Sequence, residues 1–306
     1  MIQTQLALIR RELWEHRSIY VTPAAIGIIV SLLMVTGQVA VSAMGQHVDF
    51  ALLGATALGE NERAAALTGL MTLISLPMLF AMWILTIFYT LDSLYAERKD
   101  RSILFWRSIP VTDAETVTSK LLTALIVIPL ITLLMIVVTQ LMVLIITSVW
   151  VSIRGADAWY LIWSAAPLFD TWIVTLVVLL AVPLWWAPFI GWFLFVSAFT
   201  KRSPFLTAFM PLIVLPMLEK IFLNSSYLAT AFADRLNLPL FTGTDLSDLK
   251  LDNMDEVRTV AESGISLLSL LDLSGYFANP GLWAGMAVCG LLVTAAIYLR
   301  RYRDDS

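Results

Sequence analysis

The chain has 306 residues, of which 59% are hydrophobic and only 14% charged, with a formal net charge of −4. Soluble domains carry about a quarter charged residues, so composition excludes an ordinary soluble protein and predicts an all-α integral membrane protein. The lone cysteine, Cys289, excludes an intrachain disulfide.

Residues 2–18 predict an amphipathic interfacial helix. Ile2, Leu6, Ile9 and Leu13 recur at helical spacing, with Arg10, Arg11, Glu12 and Arg17 among them. It reads either as a generic surface anchor or as an elbow helix that also touches a cytoplasmic partner. The first span is expected over 20–44, with Pro23 near its start, where proline is tolerated. The connection after it is poor in basic residues and is expected outside. The second span, 67–91, carries Pro77 and a predicted kink.

Residues 92–120 then read DSLYAERKDRSILFWRSIPVTDAETVTSK. They hold Arg98, Lys99, Arg101, Arg107 and Lys120, five of the chain's 19 basic residues. Short loops rich in Lys and Arg stay in the cytoplasm. Ile103, Leu104, Phe105, Trp106 and Ile109 lie amid that charge. The pattern predicts a short helix or turn that rests on lipid headgroups or docks on a partner.

The third span, 121–151, is longer than a bilayer core of about 30 Å requires, so it must tilt or project. Pro129 is expected to bend it, and Trp150, Trp159, Tyr160 and Trp163 to form an interfacial belt. The fourth span lies within 171–200 and contains Pro183 and Pro188; Lys201 and Arg202 mark a tight turn. The fifth, 204–222, meets Glu219 and Lys220 before a full crossing. These two charges mark either the water interface or a polar step at an outer gate. Residues 223–280 are acidic and expected outside, and their apolar run at 265–271 is too short to span and suits a re-entrant or interfacial helix. Asn279 is expected to cap the sixth span, 281–299, with Pro280 in its first turn. Arg300, Arg301 and Arg303 end the chain. The basic residues thus gather on the N-terminal helix, the 92–120 stretch, the 201–202 turn and the tail. That bias predicts both termini inside the cell.

The catalytic inventory is thin. His16 and His47 are expected on opposite sides of the membrane, which argues against a two-histidine metal site. There is no GxxxxGK[ST] phosphate loop and no GxSxG. No enzyme activity and no nucleic-acid partner are expected. Gln38 and Gln140 are expected to hydrogen-bond between helices.

Across 92–122, the Glu97–Arg98 pair, Ser108 to Pro110, and Lys120 opening the next span resemble the cytoplasmic loop of bacterial ABC-2-type exporter permeases. The interfacial helix, six spans and large last external segment agree in layout over the whole chain, read as a single transmembrane domain. The resemblance implies a dimer, either of two identical copies or of two paralogues, in the bacterial inner membrane. It implies two ATPase subunits carrying ATP and Mg, and no cofactor in this chain. It also implies a coupling helix within 95–112 and a translocation path along the second and fifth spans. Glu97, Arg98, Arg101, Ile103, Leu104, Phe105, Trp106, Arg107 and Pro110 would then form the coupling surface, with the charged members as a polar rim around apolar anchors. The competing readings are a secondary transporter or channel without an ATPase, and a membrane module that transmits force without transporting.

Overall fold

A computed structural model of the chain describes residues 2–42, 54–100, 110–241 and 267–302. Among these the protein is helical, and its β structure is limited to one isolated bridge between Phe241 and Leu271. Six helices are long and apolar enough to cross a membrane: Ser18–Ser42, Glu60–Lys99, Asp113–Ile153, Leu168–Trp185, Pro204–Leu223 and Pro280–Tyr302. The chain is a multi-pass membrane protein. The N-terminal helix, Ile2–Glu15, precedes the first span across a break at His16 and Arg17.

The second and third spans run 40 and 41 residues. At about 1.5 Å per residue each reaches about 60 Å, twice a hydrocarbon core, so both project beyond the membrane. Pro77 sits inside the continuous second helix. The third begins at a capping box: the Thr112 hydroxyl accepts from the Glu115 amide at 3.2 Å, and the Glu115 carboxylate accepts from the Thr112 amide at 3.0 Å. Pro129 has no N–H for the Leu125 carbonyl, and its ring would crowd that oxygen. The helix answers by widening to a π-turn over Thr123–Val127. The fourth span breaks at Trp186, between Leu168–Trp185 and Ala187–Phe199. Pro183 and Pro188 flank the break and each removes one donor.

The core joins five spans. Ile19, Met82, Ile128, Leu179, Ile190, Leu194 and Val293 are each buried within it. Two glycines permit the closest helix crossings. A Cβ on Gly27 would stand 2.4 Å from Thr139 Oγ1, and one on Gly191 would stand 3.0 Å from Cys289 Cα. The first and fifth spans are peripheral, with 6% and 11% of their apolar windows buried against 28–39% for the other four. Their free faces must meet lipid or another protein.

The two glutamines bridge helices as expected. Gln38 donates to Thr147 Oγ1 at 3.0 Å. Gln140, fully buried, donates to the Met71 carbonyl and Ser75 hydroxyl, each at 3.1 Å, and accepts from Trp172 Nε1 at 2.8 Å. Replacing Gln140 with Leu strands three partners on two other helices. The expected cost is about 1–2 kcal/mol, the upper range for interhelical bonds in membranes, read as a lower thermal midpoint in detergent.

Candidate functional site: an ionic cluster at the root of the 92–120 stretch

The segment between the second and third spans leaves and re-enters the bundle through buried charge. Glu12 of the N-terminal helix, Glu97 of the second span, Lys120 of the third and Arg300 of the sixth are 1%, 4%, 0% and 6% exposed. Lys120 Nζ lies 2.8 Å from Glu12 Oε1 and 3.1 Å from Glu97 Oε1. Arg300 pairs through Nη1 with Glu97 and through Nε with Asp113 Oδ1, the latter at 2.8 Å. Arg11 reaches Glu97 from the N-terminal helix, and Tyr89 donates its hydroxyl to Glu12 Oε2 at 2.9 Å. Arg11, Lys120 and Arg300 face Glu12, Glu97 and Asp113, and Arg11 also pairs with Glu15 at 2.8 Å. A buried charge survives only if it is paired and hydrogen-bonded, and here the two buried acids, Glu12 and Glu97, each have at least two donors. Burial lowers the Arg11 pKa, but the bonds it donates to Glu15 and the charges of Glu97, Glu12 and Glu15 outweigh it and hold the group above its ordinary value.

The same root is tied to the fourth span. Arg98 donates to the Ser197 carbonyl and, at 2.8 Å, to that of Thr200, both at the helix end where carbonyls lack partners. The Ser197 hydroxyl accepts from the amides of Leu94 and Tyr95 at 3.1 and 3.0 Å, and Tyr95 donates its hydroxyl to the Arg202 carbonyl at 3.0 Å. One short stretch of the second span therefore holds the N-terminal helix and the third, fourth and sixth spans together.

Two charged residues of the expected rim, Glu97 and Arg98, lie among the described residues. Glu97 points inward and is consumed within the chain, and Arg98 caps a neighbouring helix. Neither presents a free charge beside the loop. Pro110 is exposed just before the capping box. Arg101, Ile103, Leu104, Phe105, Trp106 and Arg107 lie outside the described residues. The N-terminal helix also differs from its expected orientation. Leu8 and Glu12 are its buried residues, Leu13 packs on the core, and Leu6 is 61% exposed. Its apolar stripe is thus divided between the bundle and the surroundings, because Glu12 must face Lys120.

At the opposite end the fifth span turns back through Asn224, whose φ of 47° is left-handed. A short helix, Tyr227–Asp234, follows. Glu219 is buried and fixes this hairpin, accepting from Ser225 Oγ at 2.7 Å and from the amides of Tyr227 and Leu228 at 2.7 and 2.8 Å. Those amides open the short helix, where a carboxylate is favoured. Lys220 is exposed. The two residues expected to form one polar step are therefore separated: Glu219 is a hinge staple and Lys220 faces out. Arg235 closes the hairpin. It donates to the Trp185 carbonyl, freed by the helix break, at 3.0 Å and to the Gly281 carbonyl at 2.7 Å, with its guanidinium 4.6 Å from the Trp185 ring. Asn279 caps the sixth span as expected, accepting from the Gly281 amide at 2.8 Å.

Glu12, Glu15 and His16 bring ligand atoms within 4.8 Å of one another. Glu12, however, is already spent on Lys120 and Tyr89, so the trio is a poor cation site. Compared with protein-family models, curated proteins and solved structures, the chain matches none.

Proposed function

We propose that this chain is the membrane permease subunit of an ATP-driven exporter of ABC-2 type. Two copies form the translocation path. Separate ATPase subunits, carrying ATP and Mg, engage the 92–120 stretch from the cytoplasm, and both termini lie on that side of a bacterial inner membrane. The observation that carries the reading is the buried cluster at the root of this stretch. A push on residues 100–112 enters helices that Glu97, Arg98 and Lys120 lock to the N-terminal helix and to the fourth and sixth spans. Packed, charge-paired contacts have discrete arrangements rather than continuous slack, so such a root passes on displacement instead of absorbing it. The same wiring disfavours a plain surface anchor, which needs no connection to four helices. The hairpin fixed by Glu219 and Arg235 stands at the far end of the fifth span, where an outer gate would move.

In this reading Ile103, Leu104, Phe105 and Trp106 supply the apolar anchor on the ATPase. Replacing Phe105 and Trp106 together with Ala is expected to abolish co-purification of a P-loop ATPase. The permease itself should still insert and elute as a single species. Normal co-purification by the double variant, or transport by the chain with no ATPase present, would overturn the proposal.

A further inference from the structure

Trp83 of the second span and Trp186 of the fourth stand apart from the other tryptophans. Trp150, Trp163, Trp172, Trp185, Trp192 and Trp283 each donate the indole N–H to an oxygen. Trp14 and Trp159 are exposed outside the spans. Among the described residues the N–H groups of Trp83 and Trp186 have no acceptor. Neither nitrogen is sealed inside the fold. The two rings meet edge to face at 4.8 Å. That arrangement can set at most one N–H on the other ring, so at least one donor is left over.

The depth of the pair follows from the chain. About 20 residues cross the hydrocarbon core. Residues 64–91 and 171–200 contain no Asp, Glu, Lys, Arg or His. Every stretch of crossing length within the first run includes Trp83, and every one within the second includes Trp186. At that depth lipid tails offer no acceptor, and an unmet N–H is costly. Beside the pair a cavity of about 100 Å³ lies between the second, fourth and fifth spans, at the break of the fourth. Phe189, Phe193, Phe209 and Leu212 line it together with the two indole rings, and its walls are entirely apolar. It has room for one ring or a short branched chain end, not for a whole ligand.

We propose that this place binds an uncharged apolar molecule through a carbonyl oxygen. The oxygen accepts from Trp83 or Trp186, and an adjoining apolar group of the same molecule fills the cavity. A plain hydrocarbon would leave the donors unmet. An anion or an ammonium would find no opposite charge among the lining residues, at a depth where unpaired charge is expensive. The carbonyls of bilayer lipids lie at the headgroup boundary, outside this core, so the occupant is a guest and not the surrounding lipid. The binding site stands on its own geometry. That its guest is cargo rests on the function proposed above.

The test uses the full chain in phosphatidylcholine nanodiscs, without ATPase or nucleotide. Photoreactive probes of equal length are compared: a ketone, a plain hydrocarbon and an amine. The ketone is expected to label peptides containing 83–87 and 186–193 about tenfold more than the other two, the ratio that one or two neutral hydrogen bonds supply. Trp83→Phe combined with Trp186→Phe removes both donors and keeps the walls aromatic, so the preference for the ketone should vanish. Leu212→Trp fills the cavity and should lower labelling by ketone and hydrocarbon alike. This second variant carries the test if the double one does not elute as the wild type does. Equal labelling by ketone and hydrocarbon, a preference that survives loss of both indoles, or labelling indifferent to Leu212→Trp would overturn the proposal and leave the permease reading untouched. Loss of ATPase association in the Phe105 and Trp106 variant bears on the permease reading alone.

Discussion

Replacing Lys120 with Met is expected to destabilise the protein by about 3–5 kcal/mol, the cost of breaking a buried ion pair by removing one partner. Lys120 is fully buried and is the cation that Glu12 and Glu97 share. Its loss leaves Glu12 with the Tyr89 hydroxyl and with Arg11 and His16, each 3.9 Å away. Methionine fills similar volume, so the loss is of charge rather than of packing. The measurement is the thermal midpoint in detergent, with monodisperse elution as the check on folding. Adding Glu12→Gln removes the stranded charge and should recover most of the loss. If the double variant is no better than Lys120→Met alone, the two residues are not coupled and the cluster is not the unit described.

Gly191→Leu is expected to have an effect of comparable size by overpacking. A single Cβ there already meets Cys289 Cα at 3.0 Å and its carbonyl oxygen at 3.2 Å. Backbone cannot yield as a flexible side chain can, so leucine must force the fourth and sixth spans apart. Overpacking of this kind costs about 1–3 kcal/mol, and more where backbone has to move. The sixth span also carries Arg300 into the ionic cluster. The displacement is therefore expected at the basic end as well. Cys289, the sole cysteine, is buried and reports it directly. In the variant its thiol should react with maleimide under conditions where the wild type is protected. Unchanged protection would mean that the helices pass each other with room to spare.

The spans were legible because a long charge-free run has one cheap solution in a membrane. The glutamines were legible for a related reason: a buried amide in an apolar run must find partners, and Gln38 and Gln140 have little else to offer lipid. Asn279 and Pro280 announced a helix start by residue type alone. The ionic cluster was not legible. Glu12 and Lys120 are 108 residues apart, and Glu97 and Arg300 are 203 apart. A charge at a helix end looks the same whether it meets water or another charge. Periodicity found the N-terminal helix but not the face it turns to the bundle, since it counts apolar residues and gives no weight to a glutamate that must turn inward. Pro183 and Pro188 were visible within the fourth span, but residue type alone did not say that they would cooperate to break it at Trp186. The short helix Tyr227–Asp234 was missed; the run at 265–271, read as a re-entrant or interfacial helix, holds a 3-10 turn at Leu267–Leu270. The signal was there in the apolar residues Tyr227, Leu228 and Phe232, but the capping group, Glu219, lies upstream of the turn and not at the usual N-cap position.

In the proposed permease, motion imposed on the 92–120 stretch is expected to reach the far end of the bundle through the charges at its root. The direct measurement places the one reactive thiol at position 220, with Lys220→Cys in a Cys289→Ser background. Its rate of maleimide labelling is followed in the proposed complex with the ATPase, with and without ATP and vanadate. The account expects a nucleotide-dependent rate that disappears when Lys120→Met and Glu12→Gln are added, even though the ATPase stays bound. A rate indifferent to nucleotide, or one that responds equally well without the cluster, would contradict it.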